Sequence, residues 1–454
     1  MINLARQTAI AGALAALCLP TQSGAQLLHQ PGEGPFSWAA YDSFAAAHDF
    51  SGQTLTLLGA STGVDKTRLE NVFAYFAEAT GAVVAYSGSD SFEQDIVIAL
   101  QAGSLPDVGM FPQPGLAMDL AARGGVFPMA DGTRDWYEAN FAAGASWADL
   151  ASFPGPDGVT RVYGTIFGTD VKSLVWYAPQ IFAELGYAVP ETMEELKALT
   201  DRIVADGLTP FCLGLGAGAA TGWPATDWVE DFMLRTQPLE VYDQWVNHEI
   251  PFDDPRVVAA IEEFGHFART DAYLDGGVSG ATTIDFRDSP NGLFEFPPRC
   301  LMHKQASFIP NFFPSEVEMG VDVDFFYFPA YADKDLGRPV LGSGGLATVM
   351  ADRPIAHAFM EYLQTPFAHE IFMSQGQILT PHLGANPDAY ANETQRKLGE
   401  ILTSATSFRF DGSDLMPGEI GTDAFWSAMV DYVSGAASAE EAAAAIEARW
   451  NEIR

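Results

Sequence analysis

Apolar and polar positions alternate from Thr54 to Leu58, and the next stretch, Asp65 to Thr80, places Leu69, Val72, Phe73 and Phe76 at helical spacing before Gly81. Ala82 to Tyr86 is again strand-like, Phe92 to Gln101 reads as a helix rich in Ile and Leu, and Pro106 to Phe111 as a short buried strand. Strands alternating with helices predict βαβ units around a parallel sheet, whose ligands bind beyond the carboxyl ends of the strands. The loops at that common edge are Ser61-Thr62-Gly63, Ser89-Asp90 and Pro112-Gln113.

After the Pro/Gly stretch from Pro154 to Gly158 the pattern resumes. Thr169 to Tyr177 is strand-like. Thr192 and Glu195 form a capping box that opens a helix with Leu196, Leu199 and Ile203 on its buried face and Gly207 at its end. Pro210 to Leu215 reads as another strand, and the apolar run Phe325-Phe326-Tyr327-Phe328 lies near the end of this second α/β unit. Arg338 to Gly345 has the character of a passage between lobes, and Pro354 to Gln364 that of a helix packed through Ile355, Phe359 and Leu363. The last helix begins with a second capping box, Ser438 with Glu441. No internal repeat of fixed period is present.

The first 25 residues change the picture: one charge, Arg6, then an apolar run from Ala9 to Leu19, then Ser23-Gly24-Ala25, the layout of a secretory signal cut after Ala25. The run is about half the ~20 residues needed to cross a bilayer. Cys18 lacks the small residue before it that a lipoprotein signal wants, since Leu17 stands there. A mature chain of about 430 residues exceeds what one core sustains, so two or three domains are expected. With 59 acidic against 23 basic residues the formal net charge is −36, a field that repels phosphate backbones and anionic lipid and argues against nucleic-acid or membrane partners. Cys212 and Cys300 survive processing in a compartment where disulfides persist, and a disulfide between them is expected. Neither lies in a CxxC or beside a His cluster, which argues against zinc and dithiol chemistry.

Two glycine patterns, Gly214-Leu215-Gly216-Ala217-Gly218-Ala219 and Gly342-Ser343-Gly344-Gly345-Leu346-Ala347, match G-x-G-x-x-A. The first is interrupted by Trp223-Pro224 and the second runs into strand-like Ala347 to Met350, so neither has the strand-turn-helix context of a dinucleotide site. A glycoside hydrolase would need a carboxyl pair singled out by spacing, and none is. No cofactor, catalytic residue or metal ligand is expected.

Five stretches, in order, resemble the family 1 extracellular solute-binding proteins of ABC importers, the group that includes maltose-binding protein. They are Leu55 to Gly59 with Thr80 to Val84; Ala102-Gly103-Ser104-Leu105-Pro106-Asp107-Val108; Val175-Trp176-Tyr177 through Leu185-Gly186-Tyr187 to Leu196; Gln305 to Phe308 with Pro310; and Met416-Pro417 through Ala424-Phe425-Trp426. Tyr177-Ala178 replaces the family's usual Tyr-Asn, and Met193 stands where Trp is common. Gly222-Trp223-Pro224 together with Ser407 to Gly412 is similar to the α-glucoside branch, which takes trehalose, sucrose and maltose. The resemblance implies a periplasmic binding protein of type II, two α/β lobes joined by a multi-crossover hinge with the ligand cleft between them. It further implies a monomeric subunit that catalyses nothing and delivers a small oligosaccharide to a permease. The expected limits are 27–166 with 340–383 for one lobe and 167–339 with 384–454 for the other.

A pyranose needs planar polar groups around its rim and aromatic rings against its faces. The candidates from the first lobe are Ser61, Asp90 and Gln113, with Asp170 and Lys172 just after the first crossover. The second lobe offers Trp223 and Asp227, Phe312, and Arg409 and Asp411, which alternate along one extended segment. Arg409 stands out because bases are scarce. Trp426 matches, by resemblance, a sugar-stacking aromatic, and Gly344 and Gly345 would let backbone approach ligand. A cationic polyamine would also suit an acidic cleft and remains an alternative solute.

Overall fold

The computed structural model describes residues 27–142, 144–376, 378–404 and 408–453. The signal segment, Cys18 and Ser407 lie outside the described residues. No helix among the described residues is long and apolar enough to cross a membrane.

The elements that place the cleft run in order β1 (Thr54–Gly59), α1 (Gly63–Thr80), β2 (Val83–Gly88), α2 (Phe92–Ala102), β3 (Val108–Phe111), α3 (Pro114–Ala122), β4 (Gly164–Val171), β5 (Leu174–Tyr177), α4 (Met193–Ala205) and α5 (Trp223–Thr236). There follow α6 (Pro255–Ala268), β6 (Met302–Lys304), β7 (Asp324–Tyr327), β8 (Val340–Val349), α7 (Pro354–Leu363), α8 (Pro366–Met373), β9 (Phe408–Phe410), α9 (Gly412–Leu415), α10 (Trp426–Ser434) and α11 (Ala439–Ile453). The main sheet has the order β9-β8-β3-β1-β2, with β4 also paired to β8. The β1–β2, β1–β3 and β8–β9 pairs are parallel, as the βαβ pattern predicts, whereas β8 runs antiparallel to both β3 and β4. A second sheet, β6-β5-β7, is small and antiparallel.

Leu69, Val72, Phe73 and Phe76 of α1 are all buried with Phe359 of α7, which shows the predicted helical face doing its work against the main sheet. A separate buried cluster gathers Leu196, Ile203, Trp228, Phe264 and Ile446 around the small sheet. The second capping box forms with both of its bonds and the first with one. Thr192 Oγ1 accepts from the Glu195 N–H at 3.2 Å, while the Glu195 carboxylate reaches back one residue further, to the Glu191 N–H at 2.8 Å. Ser438 and Glu441 exchange bonds reciprocally at 3.2 and 2.8 Å.

Two sequence expectations are corrected. The predicted strand from Thr169 to Tyr177 is two strands in different sheets, broken at Lys172-Ser173. There Lys172 turns to buried carboxylates, and the Ser173 hydroxyl donates to Asp231 at 2.6 Å while accepting from the Leu341 N–H at 2.9 Å. The predicted strand from Pro210 to Leu215 makes only isolated bridges, because the Phe211 N–H goes to Tyr273 and the Cys212 N–H to Met302, two separate neighbours. Cys212 and Cys300 are bonded, with Cα atoms 5.4 Å apart.

Candidate functional site

Ser61, Asp90 and Gln113 each lie two residues past the end of β1, β2 and β3, and all three line one cavity of about 300 Å³. Its opposite wall is aromatic. Trp223 packs edge-on to Phe286 with ring centres 4.9 Å apart and lies 5.9 Å from Phe308, and Phe286 meets Phe312 at 5.6 Å. The crossover residues Asp170, Lys172, Gly344 and Gly345 form the floor, and Trp426 completes the lining. Ten of the thirteen residues expected from the sequence therefore meet in this cavity.

Local backbone demands explain how the two tryptophans are brought together. Gly222 immediately precedes α5 at φ +114°, and a Cβ there would lie 2.3 Å from the Trp426 carbonyl oxygen, so only glycine lets Trp223 start its helix against Trp426. Gly344 and Gly345 line the cavity, but a Cβ on either would come within 2.9 and 3.0 Å of the carbonyls of Gly168 and Phe167. Their smallness is demanded by β4, at an irregularity in the β8–β4 register, whatever the ligand.

Three expected residues lie elsewhere. Arg409 lines a separate groove, on the far side of α3 and α9, with Tyr242, Asp243 and Phe408. Its Nε and Nη2 fork onto the Asp243 carboxylate at 2.6 and 2.8 Å, so the planar group is already committed. Asp227 and Asp411 are buried beneath the floor, where both accept from Lys172 Nζ, Asp227 at 2.8 Å. Asp411 does not share a face with Arg409: it ends the extended segment and caps α9 by accepting the Asp414 N–H at 3.0 Å.

Beneath the floor Asp227, Glu230 and Asp411 form a buried ionic cluster with Lys172 and Asp414, which also border the cavity. Burial pushes Asp227 up to about 7 despite Lys172, and raises Glu230 and Asp414 further, reinforced by Asp411 nearby. Burial pushes Asp411 up, but the charge and hydrogen bond of Lys172 with the bonds from Ser413 and the Asp414 N–H together hold it down to about 2. Glu230 accepts the N–H groups of Gly412 and Ser413, each at 3.0 Å, at the start of α9. Carboxylate oxygens of Asp227, Glu230 and Asp411 come within 4.8 Å of one another, a spacing that could hold a metal ion. The Lys172 ammonium already supplies positive charge to two of the three. Above it, Asp170 is pushed by burial up to about 7, against the Ser307 hydroxyl, which donates to it at 2.9 Å, and the Lys172 charge.

Sequence reasoning missed Asp65, Glu93, Phe286, Arg287, Phe308, Asn311 and Asp414, all of which line the cavity. Arg287 had the same scarcity signal as Arg409 and lies between Phe286 and Asp288 in a loop without periodicity. Several lining groups have spare hydrogen-bonding capacity. Gln113 donates to Glu93 at 3.0 Å, and Asn311 donates to Asp65 at 2.8 Å. The buried Gln113 Oε1, Asn311 Oδ1 and Trp426 Nε1 have no partner among the described residues. Two acceptors and a donor thus lie unpaired and buried beside the aromatic wall.

Residues 60–368 match the family model described as bacterial extracellular solute-binding protein. The alpha-glucosides-binding periplasmic protein AglE of Rhizobium meliloti is 55% identical over 432 residues, spanning 95% of this chain and 94% of the relative. The osmoprotective compounds-binding protein GgtB of Synechocystis sp. is 42% identical over 382 residues, 84% of this chain and 89% of the relative. Among solved structures, the bacterial solute receptor AcbH, with an exclusive preference for β-D-galactopyranose, superposes with a TM-score of 0.75 at 19% identity, covering 89% of this chain and all of that one. That likeness is one of fold, the two-lobed α/β architecture expected from the sequence.

Proposed function

The chain belongs to the bacterial extracellular solute-binding proteins, and from that premise we propose that it is the periplasmic receptor of an ABC importer, capturing an α-glucoside and handing it to a permease without catalysis. The observation that carries this reading is the 55% identity to AglE along 95% of the chain. The cleft supports it. Trp223 offers a ring to a sugar face, Trp426 an indole N–H, and Gln113 and Asn311 acceptors to its hydroxyls. Ser61 and Asp170 are the further polar contacts, and Lys172 ties the floor to the carboxylates beneath it.

We assign the lobes to 27–166 with 340–383 and 167–339 with 384–454, a division that follows the buried clusters around Phe73 and Trp228, while a third cluster with Phe92, Trp176 and Phe410 crosses it and joins the lobes. Sugar binding then draws the population toward the closed form that the permease engages.

A thermal-shift screen of the mature protein against trehalose, sucrose, maltose, palatinose, glucose and putrescine tests the proposal, since a ligand of the folded state raises the midpoint by mass action. The expected result is a rise with at least one α-glucoside, which is recovered intact, and none with putrescine. A rise with putrescine alone would overturn the assignment and favour the polyamine reading that the carboxylates of Asp65, Asp90 and Glu93 also invite.

A further inference from the structure

Two polar links cross the mouth of the cleft. Arg287 Nη2 donates to Asp90 Oδ1 at 3.0 Å, an oxygen that also accepts from Thr62 Oγ1 at 3.1 Å. Asn311 Nδ2 donates to Asp65 Oδ1 at 2.8 Å, and Arg68 steadies Asp65 from behind at 3.3 Å. Each link joins a loop or helix of the β1–β2–β3 side to the aromatic wall opposite.

Arg287 is held in place before it reaches across. Its guanidinium carbon sits 4.4 Å from the centre of the Phe286 ring and 5.8 Å from that of Phe312, and its backbone N–H donates to Asp285 at 2.9 Å. The side chains of Arg287 and Asp90 are 31% and 56% exposed, against 5% for Lys172, so the pair lies at the solvent edge and not at the floor. An ion pair that exposed contributes little to global stability. Its position is its consequence. It spans the opening through which any ligand longer than the cavity would have to protrude. The cavity volume, about 300 Å³, is at the small end of the ~300–1,000 Å³ range of small-molecule sites.

We propose that Arg287, braced on Phe286 and bonded to Asp90 across the mouth, is a length-determining bar that admits α-glucosides of two rings and excludes those of three or more. The inference rests on the sugar reading above and adds to it a limit on ligand size and a residue that enforces it. Arg287 acts by spanning the opening, and Asp90 is its partner in that role.

The test uses the full mature protein, wild type, Arg287→Ala and Asp90→Ala, titrated calorimetrically with maltose, maltotriose and maltotetraose. Spin labels at the exposed positions Ile98 and Val321 report the separation of the two sides in the absence of sugar. Wild type is expected to bind the disaccharide at least about tenfold more tightly than the trisaccharide, and both variants to bring that ratio to about threefold or less with a longer label distance. An unchanged length ratio in both variants, with wild-type disaccharide binding intact, overturns the bar while leaving the sugar reading in place. If wild type binds no α-glucoside of any length, the sugar reading falls and the length limit falls with it, an outcome distinct from binding with an unchanged length ratio.

Discussion

On the side of the cleft built by β1, β2 and β3, Ser61, Asp90 and Gln113 recur at the same offset, two residues past each strand. On the facing side, Trp223 opens a helix, Arg287 sits in a loop, and Phe312 ends a short turn, with no offset in common. The first wall is positioned by backbone pairing and presents its side chains as short appendages. The second is positioned by its own rings, Trp223, Phe286, Phe308 and Phe312, packed on one another. Substitutions on the first wall can therefore change ligand contact alone, whereas on the second, contact and stability are coupled.

The largest effect should come from the floor that joins the walls. Lys172→Met strands Asp227 and Asp411 without their cation and is expected to cost about 3–5 kcal/mol of folding stability. Urea denaturation measures it, and a loss below about 1 kcal/mol would mean that the carboxyls simply take up protons. Next, Trp223→Ala should weaken α-glucoside binding by about 2 kcal/mol and lower the unfolding midpoint as well. Ser61→Ala should leave the midpoint where it was, and equal midpoint losses for the two would erase the contrast between the walls.

A smaller effect concerns pH. Asp170 keeps its proton in the folded protein up to about 7, while in the unfolded chain it releases it near ~4. Across that window the native state holds more protons, so stability falls as pH rises from about 4 to 7. Asp170→Asn should flatten part of that slope in denaturation series at fixed pH, the remainder being shared by Asp227, Glu230 and Asp414, which burial also raises. Smallest of all, Arg409→Ala should leave sugar affinity within about twofold and stability within about 1 kcal/mol, because its half-exposed pairing with Asp243 faces another groove. A large affinity loss there would couple that groove to the cleft.

The contrast between the walls also marks how far the sequence could be read. Alternation and helical spacing located the strand ends, and a parallel βαβ arrangement puts strand ends at one edge, so Ser61, Asp90 and Gln113 followed. The aromatic wall has no such rule behind it. Phe286 and Arg287 follow isolated bridges rather than a strand, and Phe308 and Asn311 come from a short 3₁₀ turn and the residue before it. Arg409 was singled out because basic residues are few, but in a chain with 59 acids a base finds a carboxylate almost anywhere, and Asp243 is its partner. Asp227 and Asp411 were placed in the right neighbourhood and one layer too high, since helical and extended periodicity give a face without giving its depth.

Strand β8 has a consequence for how the chain is made. It lies between β3 and β9 in the main sheet and pairs with β4 as well, so β3, complete at residue 111, waits for residues 346–349, and β8 itself waits for residues 408–410. A chain emerging from the ribosome can pair β1 with β2 early, yet it carries unpaired strand edges until nearly all of its length has been synthesised. Such a polypeptide cannot close its main sheet before residue 410 is available, so the sheet that holds the cleft is among the last parts of the molecule to be completed.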